Sequence, residues 1–258
     1  MVKLLLIGNG TWGQKYISTL SSNQEVELTI GNRDNWKKSI NQKPDGVIVC
    51  TPPQSHVELA SYALRRQIPV MIEKPLSLSL AEAESLNQYS SNILVNHIHL
   101  FSSQYQDIKK QLKSQKIINI QSIGLSNSPQ RDYSELWDYG PHDISLILDF
   151  TQQYPISIKC KEVSPRCFSI VLEFDHFKTI SIVGHTIGDR KRFFSAETEN
   201  EIFEYDGLKP TESPPLTNAL EVFIKSIKGY PDYRLGLDLS LQVMRVLEDC
   251  QNLLSQAI

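Results

Sequence analysis

Along the first hundred residues, short unbroken apolar runs alternate with amphipathic stretches. Residues 4–7 (with Val2 before them), 26–30, 46–50, 68–72 and 93–97 read as strands. Residues 11–20 read as a helix. Between Ser55 and Gln67, Val57, Ala60 and Leu64 recur at i, i+3 and i+7, and Leu59 and Ala63 widen that helical stripe. Ser79 suits the N-cap of a helix over 80–89. Strands apolar on both faces and separated by helices predict a parallel sheet covered on both sides.

Beyond residue 100 the period changes. Residues 101–115 read as a helix, and 117–124 open a strand-rich region in which 156–163, 167–174 and 179–186 alternate in period two. Asp175-His176-Phe177-Lys178 reads as a hairpin turn, 200–205 as a short edge strand, and 134–150 as a helix interrupting the sheet. Helices over 218–228 and 237–254 follow, parted by Gly229-Tyr230-Pro231-Asp232. The predicted fold is α/β: a doubly wound parallel sheet over residues 1–100, then an α+β domain over 101–258 with a mostly antiparallel open sheet. One face of that second sheet is left for solvent or a partner, and an apolar outer face predicts a homodimer or homotetramer.

Composition narrows the class. The 258 residues carry 26 basic and 29 acidic side chains, a formal net charge of −3, without the dense basic stripe of a nucleic-acid face. The apolar run at 4–7 is too short for a signal peptide or a membrane span. Cys50, Cys160, Cys167 and Cys250 lie far apart without a C-x-x-C pair, which predicts reduced thiols and no metal site. A soluble cytoplasmic protein is the expectation.

The candidate chemistry sits at strand ends. Gly8-Asn9-Gly10-Thr11-Trp12-Gly13 follows a strand and opens a helix, the context of a Rossmann dinucleotide fingerprint. Gly8 permits the tight turn, Gly10 the close approach of a pyrophosphate, and Gly13 the packing of helix on strand. After the second strand, where NAD enzymes place an acidic residue, the chain has Asn32-Arg33. A guanidinium there suits a 2′-phosphate, so NADP is expected ahead of NAD; the other reading has Arg33 solvated and Asn32 on the NAD ribose. Thr51-Pro52-Pro53 with His56 borders the same crevice, His56 capping its helix or touching cofactor. Glu73-Lys74-Pro75 closes the fourth strand and aims Lys74 toward cofactor and substrate.

In the second half, Trp137-Asp138-Tyr139-Gly140-Pro141-His142 puts Asp138 and His142 four apart on one helical face, where a carboxylate can orient an imidazole base. His97 and His99 end a predicted strand on one side; with no third metal ligand in view, one is expected on substrate and one packed. Arg190-Lys191-Arg192 reads as a solvated loop, or more sharply as a diphosphate contact, with Phe193 and Phe194 in the core.

These pieces resemble the Gfo/Idh/MocA family: Gly8–Gly13, Thr51-Pro52-Pro53 with His56, Glu73-Lys74-Pro75, Asp138-x-Gly140-x-His142 and the final helices. The resemblance implies hydride exchange between a nicotinamide and a hydroxyl of a sugar, polyol or sugar nucleotide. Lys74 and His142 then lie at the reacting carbon, with Asp138 behind the histidine and no metal needed. The chain is short for the family, Ser145 stands where an acidic residue commonly follows, and Leu100 replaces a common arginine. A biliverdin-reductase-like or imine reductase and a non-catalytic NADP-binding sensor are the alternative readings. The Asp138–His142 spacing argues against the reductases.

Overall fold

The structure is a computed structural model that describes residues 1–112 and 115–256, the side chains of Ser90 and Ser91 apart. It divides into two compact units, Met1–Asn96 with Leu216–Leu241 and His97–Pro215 with Gln242–Ile258.

In the first unit β1 (Val2–Ile7), α1 (Thr11–Ser21), β2 (Val26–Gly31), α2 (Trp36–Asn41), β3 (Gly46–Val49), α3 (His56–Leu64), β4 (Val70–Glu73), α4 (Leu80–Glu84) and β5 (Ile93–Asn96) alternate. The sheet is parallel throughout, in the order β2-β1-β3-β4-β5. Every residue of β3, β4 and β5 is buried, as continuous apolar runs require when both faces are covered. The strand order reverses between β1 and β3, so the turns after these two strands flank the switch point where open α/β sheets bind ligands.

Helix α4 caps as expected, Ser79 Oγ accepting the Glu82 N–H at 3.4 Å, but it stops at Glu84 and gives way to a 3₁₀ turn, Asn87–Asn92. Ser85 Oγ donates to the Glu82 carbonyl at 2.6 Å, a local bond that competes with helical propagation. The sequence reading places one break near residue 100, whereas Leu216–Leu241 groups with the first unit. The cause is visible at Gly46: a Cβ there would stand 2.6 Å from Ile227 and 3.1 Å from Phe223, so the helix Pro215–Ile227 lies directly on β3.

In the second unit a 3₁₀ turn (Ile98–Phe101) leads into α5 (Ser103–Leu112), β6 (Ile117–Ser126) and α6 (Glu135–Thr151). There follow β7 (Ser157–Ser164), β8 (Cys167–Glu173), β9 (Lys178–His185), β10 (Lys191–Thr198) and β11 (Ile202–Asp206). After them come α7 (Pro215–Ile227), which groups with the first unit from Leu216 on, and α8 (Asp238–Gln256), which groups with the second from Gln242 on. Residues 113 and 114, within the helix expected at 101–115, lie outside the described residues. The sheet order is β11-β10-β6-β9-β8-β7, antiparallel except for β6 beside β9. The expected turn joins β8 to β9, the Phe174 N–H donating to the Phe177 carbonyl at 2.9 Å. The edge strand is β11.

One strand was not foreseen. Residues 190–192, expected in a loop, run into β10, where burial alternates from exposed Lys191 to buried Arg192 and buried Phe194. Two basic residues at the strand start mask the alternation.

Helix α6 is buried at each position from Glu135 to Asp149. Gly140 allows this, since a Cβ there would stand 2.7 Å from Leu247 of α8. Four acidic residues lie in the buried stretch, and each has a cation from another part of the unit: Glu135 with Arg166, Asp138 with Arg131, Asp143 with Arg192, Asp149 with Lys109. Buried charge persists where it is paired.

Candidate functional site

The glycine turn is built around contacts that no side chain could survive. Gly8 has φ +108, and a Cβ there would collide with the Cys50 carbonyl at the end of β3; one at Gly13 would collide with the Gly8 carbonyl. Gly10, the N-cap of α1, has open space on its Cβ side and no side-chain cap on the helix. Asn9, Gly10 and Thr11 are exposed, and Trp12 carries the Lys15 ammonium 4.0 Å from its ring centre. Uncapped N–H groups beside the open Cβ side of Gly10 fit a dinucleotide pyrophosphate.

At the end of β2 the Asn32 side chain holds its own turn. Its Oδ1 accepts the N–H groups of Asp34 and Asn35 at 2.9 and 3.1 Å, and Asn35 Oδ1 accepts the Asn32 N–H at 2.8 Å. Asn32 keeps its Nδ2 for other partners, and Arg33 stands exposed beside it.

His56 does not cap its helix. Its ring is buried, Nδ1 2.9 Å from the Pro75 carbonyl and Nε2 2.8 Å from the Thr51 carbonyl. It therefore ties the turn after β3 to the turn after β4. Burial pushes its pKa down, against the carbonyls, which favour the charged ring. Ser55 Oγ adds a bond to Thr51 Oγ1 at 2.7 Å, and Pro52 is exposed.

Glu73 ends β4 fully buried. Its Oε1 accepts the Tyr16 hydroxyl at 2.5 Å and the Asn96 Nδ2 at 2.7 Å, and Asn96 Nδ2 also reaches Tyr16 Oη at 2.8 Å. Burial raises the Glu73 carboxyl, while these bonds hold it down. The clamp joins α1, β4 and β5 and fixes the backbone that carries Lys74, whose peptide bond to Pro75 is cis. No spacing could have revealed it, because the partners lie 57 and 23 residues away.

In the second unit His142 sits on α6, only 8 % exposed. Asp138 Oδ2 accepts Arg131 Nε at 2.9 Å, a partner that the sequence reading did not contain. His97 and His99 do not end a strand, since β5 stops at Asn96. His97 is buried; His99 stands edge-on to His142, ring centres 5.0 Å apart, with its Nδ1 2.8 Å from the Tyr205 hydroxyl. Among the described residues no cluster of three or more His, Cys, Asp or Glu could hold a metal. Arg192 is a correction: it is 4 % exposed and joined to Asp143 at 2.5 Å, so it is neither solvated nor offered to a diphosphate.

Residues 30–92 match the model of GFO_IDH_MocA, an oxidoreductase family with an NAD-binding Rossmann fold. The chain is similar to a Magnetospirillum magnetotacticum MS-1 protein provisionally described as an oxidoreductase (26 % identity over 96 % of this chain and 99 % of that one, TM-score 0.85). It is also similar to a UDP-N-acetylglucosamine 3-dehydrogenase from Acidithiobacillus ferrooxidans (14 % identity, 99 % and 98 % covered, TM-score 0.84). A scyllo-inositol dehydrogenase from Lactobacillus casei, with NAD(H) and scyllo-inositol bound, matches with 14 % identity, 100 % and 98 % covered and TM-score 0.84. No curated protein sequence matches the chain. Likeness at 14 % speaks for the fold alone; the family match speaks for the class.

The protein is a Rossmann-fold oxidoreductase. Over residues 30–92 the chain matches the Gfo/Idh/MocA family, the one its motifs resemble.

Proposed function

We propose that the protein transfers a hydride between a nicotinamide dinucleotide and a hydroxyl or carbonyl of a sugar, polyol or sugar nucleotide. The observation that carries this reading is the common end of the parallel sheet. Gly8 and Gly10 open after β1, the Asn32-Arg33 turn follows β2, Thr51 follows β3 and Lys74 follows β4, all at carboxyl ends, the ligand side of such sheets.

The uncapped start of α1, behind the glycine at its N-cap, would hold the pyrophosphate, and the exposed Arg33 a ribose 2′-phosphate, which favours NADP over NAD. When bound, the nicotinamide supplies the hydride acceptor or donor. Lys74 would hydrogen-bond the reacting oxygen and stabilise its developing charge. His142 would take the hydroxyl proton during oxidation and return it during reduction. Asp138, itself held by Arg131, would steady the imidazolium. His56 and the Glu73 clamp would keep the loops in register. A sugar-like substrate also accords with the inositol and sugar-nucleotide dehydrogenases that share the fold. No helix among the described residues is long and apolar enough to cross a membrane, and a cytoplasmic setting accords with the reading.

The test is turnover on a panel of polyols, sugars and sugar nucleotides, preselected by thermal shift with cofactor present. His142→Ala is expected to lower kcat by about 10²–10⁴-fold, the share of general acid–base catalysis, and Lys74→Ala at least as much. Both variants should still bind cofactor. Near-normal turnover of His142→Ala would overturn the assignment, and cofactor binding without turnover on any substrate would favour a sensor.

A further inference from the structure

An oxidoreductase base must keep one ring nitrogen aimed at the substrate, yet the terminal torsion of a histidine is broad and roughly two-fold. Something has to hold the ring plane of His142, and the second unit contains a built support.

The ring of His99 stands across His142 with centres 5.0 Å apart and planes at 76°. His99 in turn meets Tyr205 of β11 at 5.8 Å and 72°, and the Tyr205 hydroxyl hydrogen-bonds His99 Nδ1 at 2.8 Å. Tyr205 meets Tyr105 of α5 at 6.2 Å and 65°. The Tyr105 hydroxyl reaches Asp149 Oδ2 at 2.8 Å, and Asp149 also accepts Lys109 Nζ at 2.8 Å. Asp149 lies seven residues after His142 on α6, two turns along the same face. The rings therefore form a closed frame that leaves the helix at His142 and returns to it at Asp149.

The backbone makes room for the frame. Gly207 follows β11, and a Cβ there would lie 2.9 Å from His99 Cε1 and 3.1 Å from its Nδ1. Burial keeps Tyr205 protonated, its pKa raised, so the phenol remains a hydrogen-bonding group. The Tyr205 hydroxyl can donate to or accept from that ring nitrogen, and in either sense the bond holds the His99 ring in plane. Its perpendicular ring narrows the rotation of His142.

We propose that His99 and Tyr205 are positioning residues for His142, setting the ring orientation and tautomer of the base, a role that rests on the proposed part of His142 in catalysis. Tyr205→Phe keeps every ring in place and removes one hydroxyl, and His99→Phe keeps an edge-on ring without nitrogen. Each is expected to lower kcat by about 10-fold or more, within the share that a positioned base contributes. KM for cofactor and the melting temperature should stay close to wild type. In a His142→Ala background the same changes should have no further effect on kcat, because no ring is left to orient; a merely structural role would act in both backgrounds.

A second readout is independent of turnover. Nitrogen-15 ring shifts of the histidines report tautomers, with His142 identified by its loss in His142→Ala. The wild type should show one dominant His142 tautomer and Tyr205→Phe a changed ratio. Unmoved His142 ring signals in Tyr205→Phe would overturn the proposal, as would an equal fall of kcat in both backgrounds. A tautomer change in a protein that turns over nothing would keep the frame and reject only the catalytic reading.

Discussion

Asp143→Ala should be among the most damaging single changes in the second unit. Asp143 and Arg192 have side chains only 1 % and 4 % exposed and meet at 2.5 Å, so removal of the acid leaves a guanidinium buried without its counter-charge. Breaking such a pair costs about 3–5 kcal/mol, a fifth or more of a typical domain's roughly 5–15 kcal/mol. The contrast within α6 is instructive. Arg131, partner of Asp138, is 49 % exposed, and its loss should cost about 1 kcal/mol or less in stability. Gly124 supplies the internal control, since a Cβ there would collide with both Asp143 Oδ2 and Arg192 Nη1. Gly124→Ala should therefore wedge the pair apart in the wild type and do much less once Asp143 is Ala. Groups that share one partner couple by roughly 0.5–3 kcal/mol. Urea unfolding followed by Trp137 emission, with Trp12 and Trp36 replaced by Phe, measures all four corners of this cycle. A cost under about 1 kcal/mol for Asp143→Ala, or strict additivity with Gly124→Ala, would refute the reasoning. Replacement of both charges by apolar residues, Asp143→Leu with Arg192→Met, should recover most of the loss.

Arg33→Ala should weaken NADPH by about 1–3 kcal/mol and leave NADH nearly unchanged, the scale of a charge-assisted hydrogen bond; equal wild-type affinities for both cofactors by fluorescence titration would reject NADP preference. His56 has a folded pKa below its ordinary value, so the unfolded state binds the extra proton and stability should fall as pH drops below about 6.5. His56→Gln should flatten part of that slope in unfolding series between pH 7.5 and 5, and identical slopes would count against it. The outward positions of the open sheet include Ile123, Ile180, Ile182 and Phe193, paired across β6, β9 and β10 and only half-buried. A homodimer or homotetramer through this face is expected by light scattering at micromolar concentration, and a clean monomer would remove the idea.

What could be read in advance followed from periodicity, and what could not followed from pairing across long stretches of chain. β3 and β4 are legible because strands buried on both faces are nearly all apolar letters, Glu73 at the end of β4 apart, and α3 because its stripe obeys i, i+3, i+7. The glycine turn is legible because its G-x-G-x-x-G spacing lies within six residues, although the backbone that Gly8 clears is that of Cys50. Arg192 was misplaced for the converse reason: a buried guanidinium looks the same in sequence as a solvated one until Asp143, 49 residues away, is known to face it. The four acids of α6 show the same limit. Their letters suggest a half-solvated helix, whereas the fold buries the helix from Glu135 to Asp149 and draws its cations from a preceding loop, α5, the turn before β8 and β10. Asp138 and His142 could be picked out by spacing, but not Arg131 or the frame of His99, Tyr205 and Tyr105. A family's motif names the groups that do the chemistry. The residues packed around those groups come from elements far apart in sequence, and here they are hydrogen-bonded rings and ion pairs whose single-residue signals are indistinguishable from those of solvated side chains.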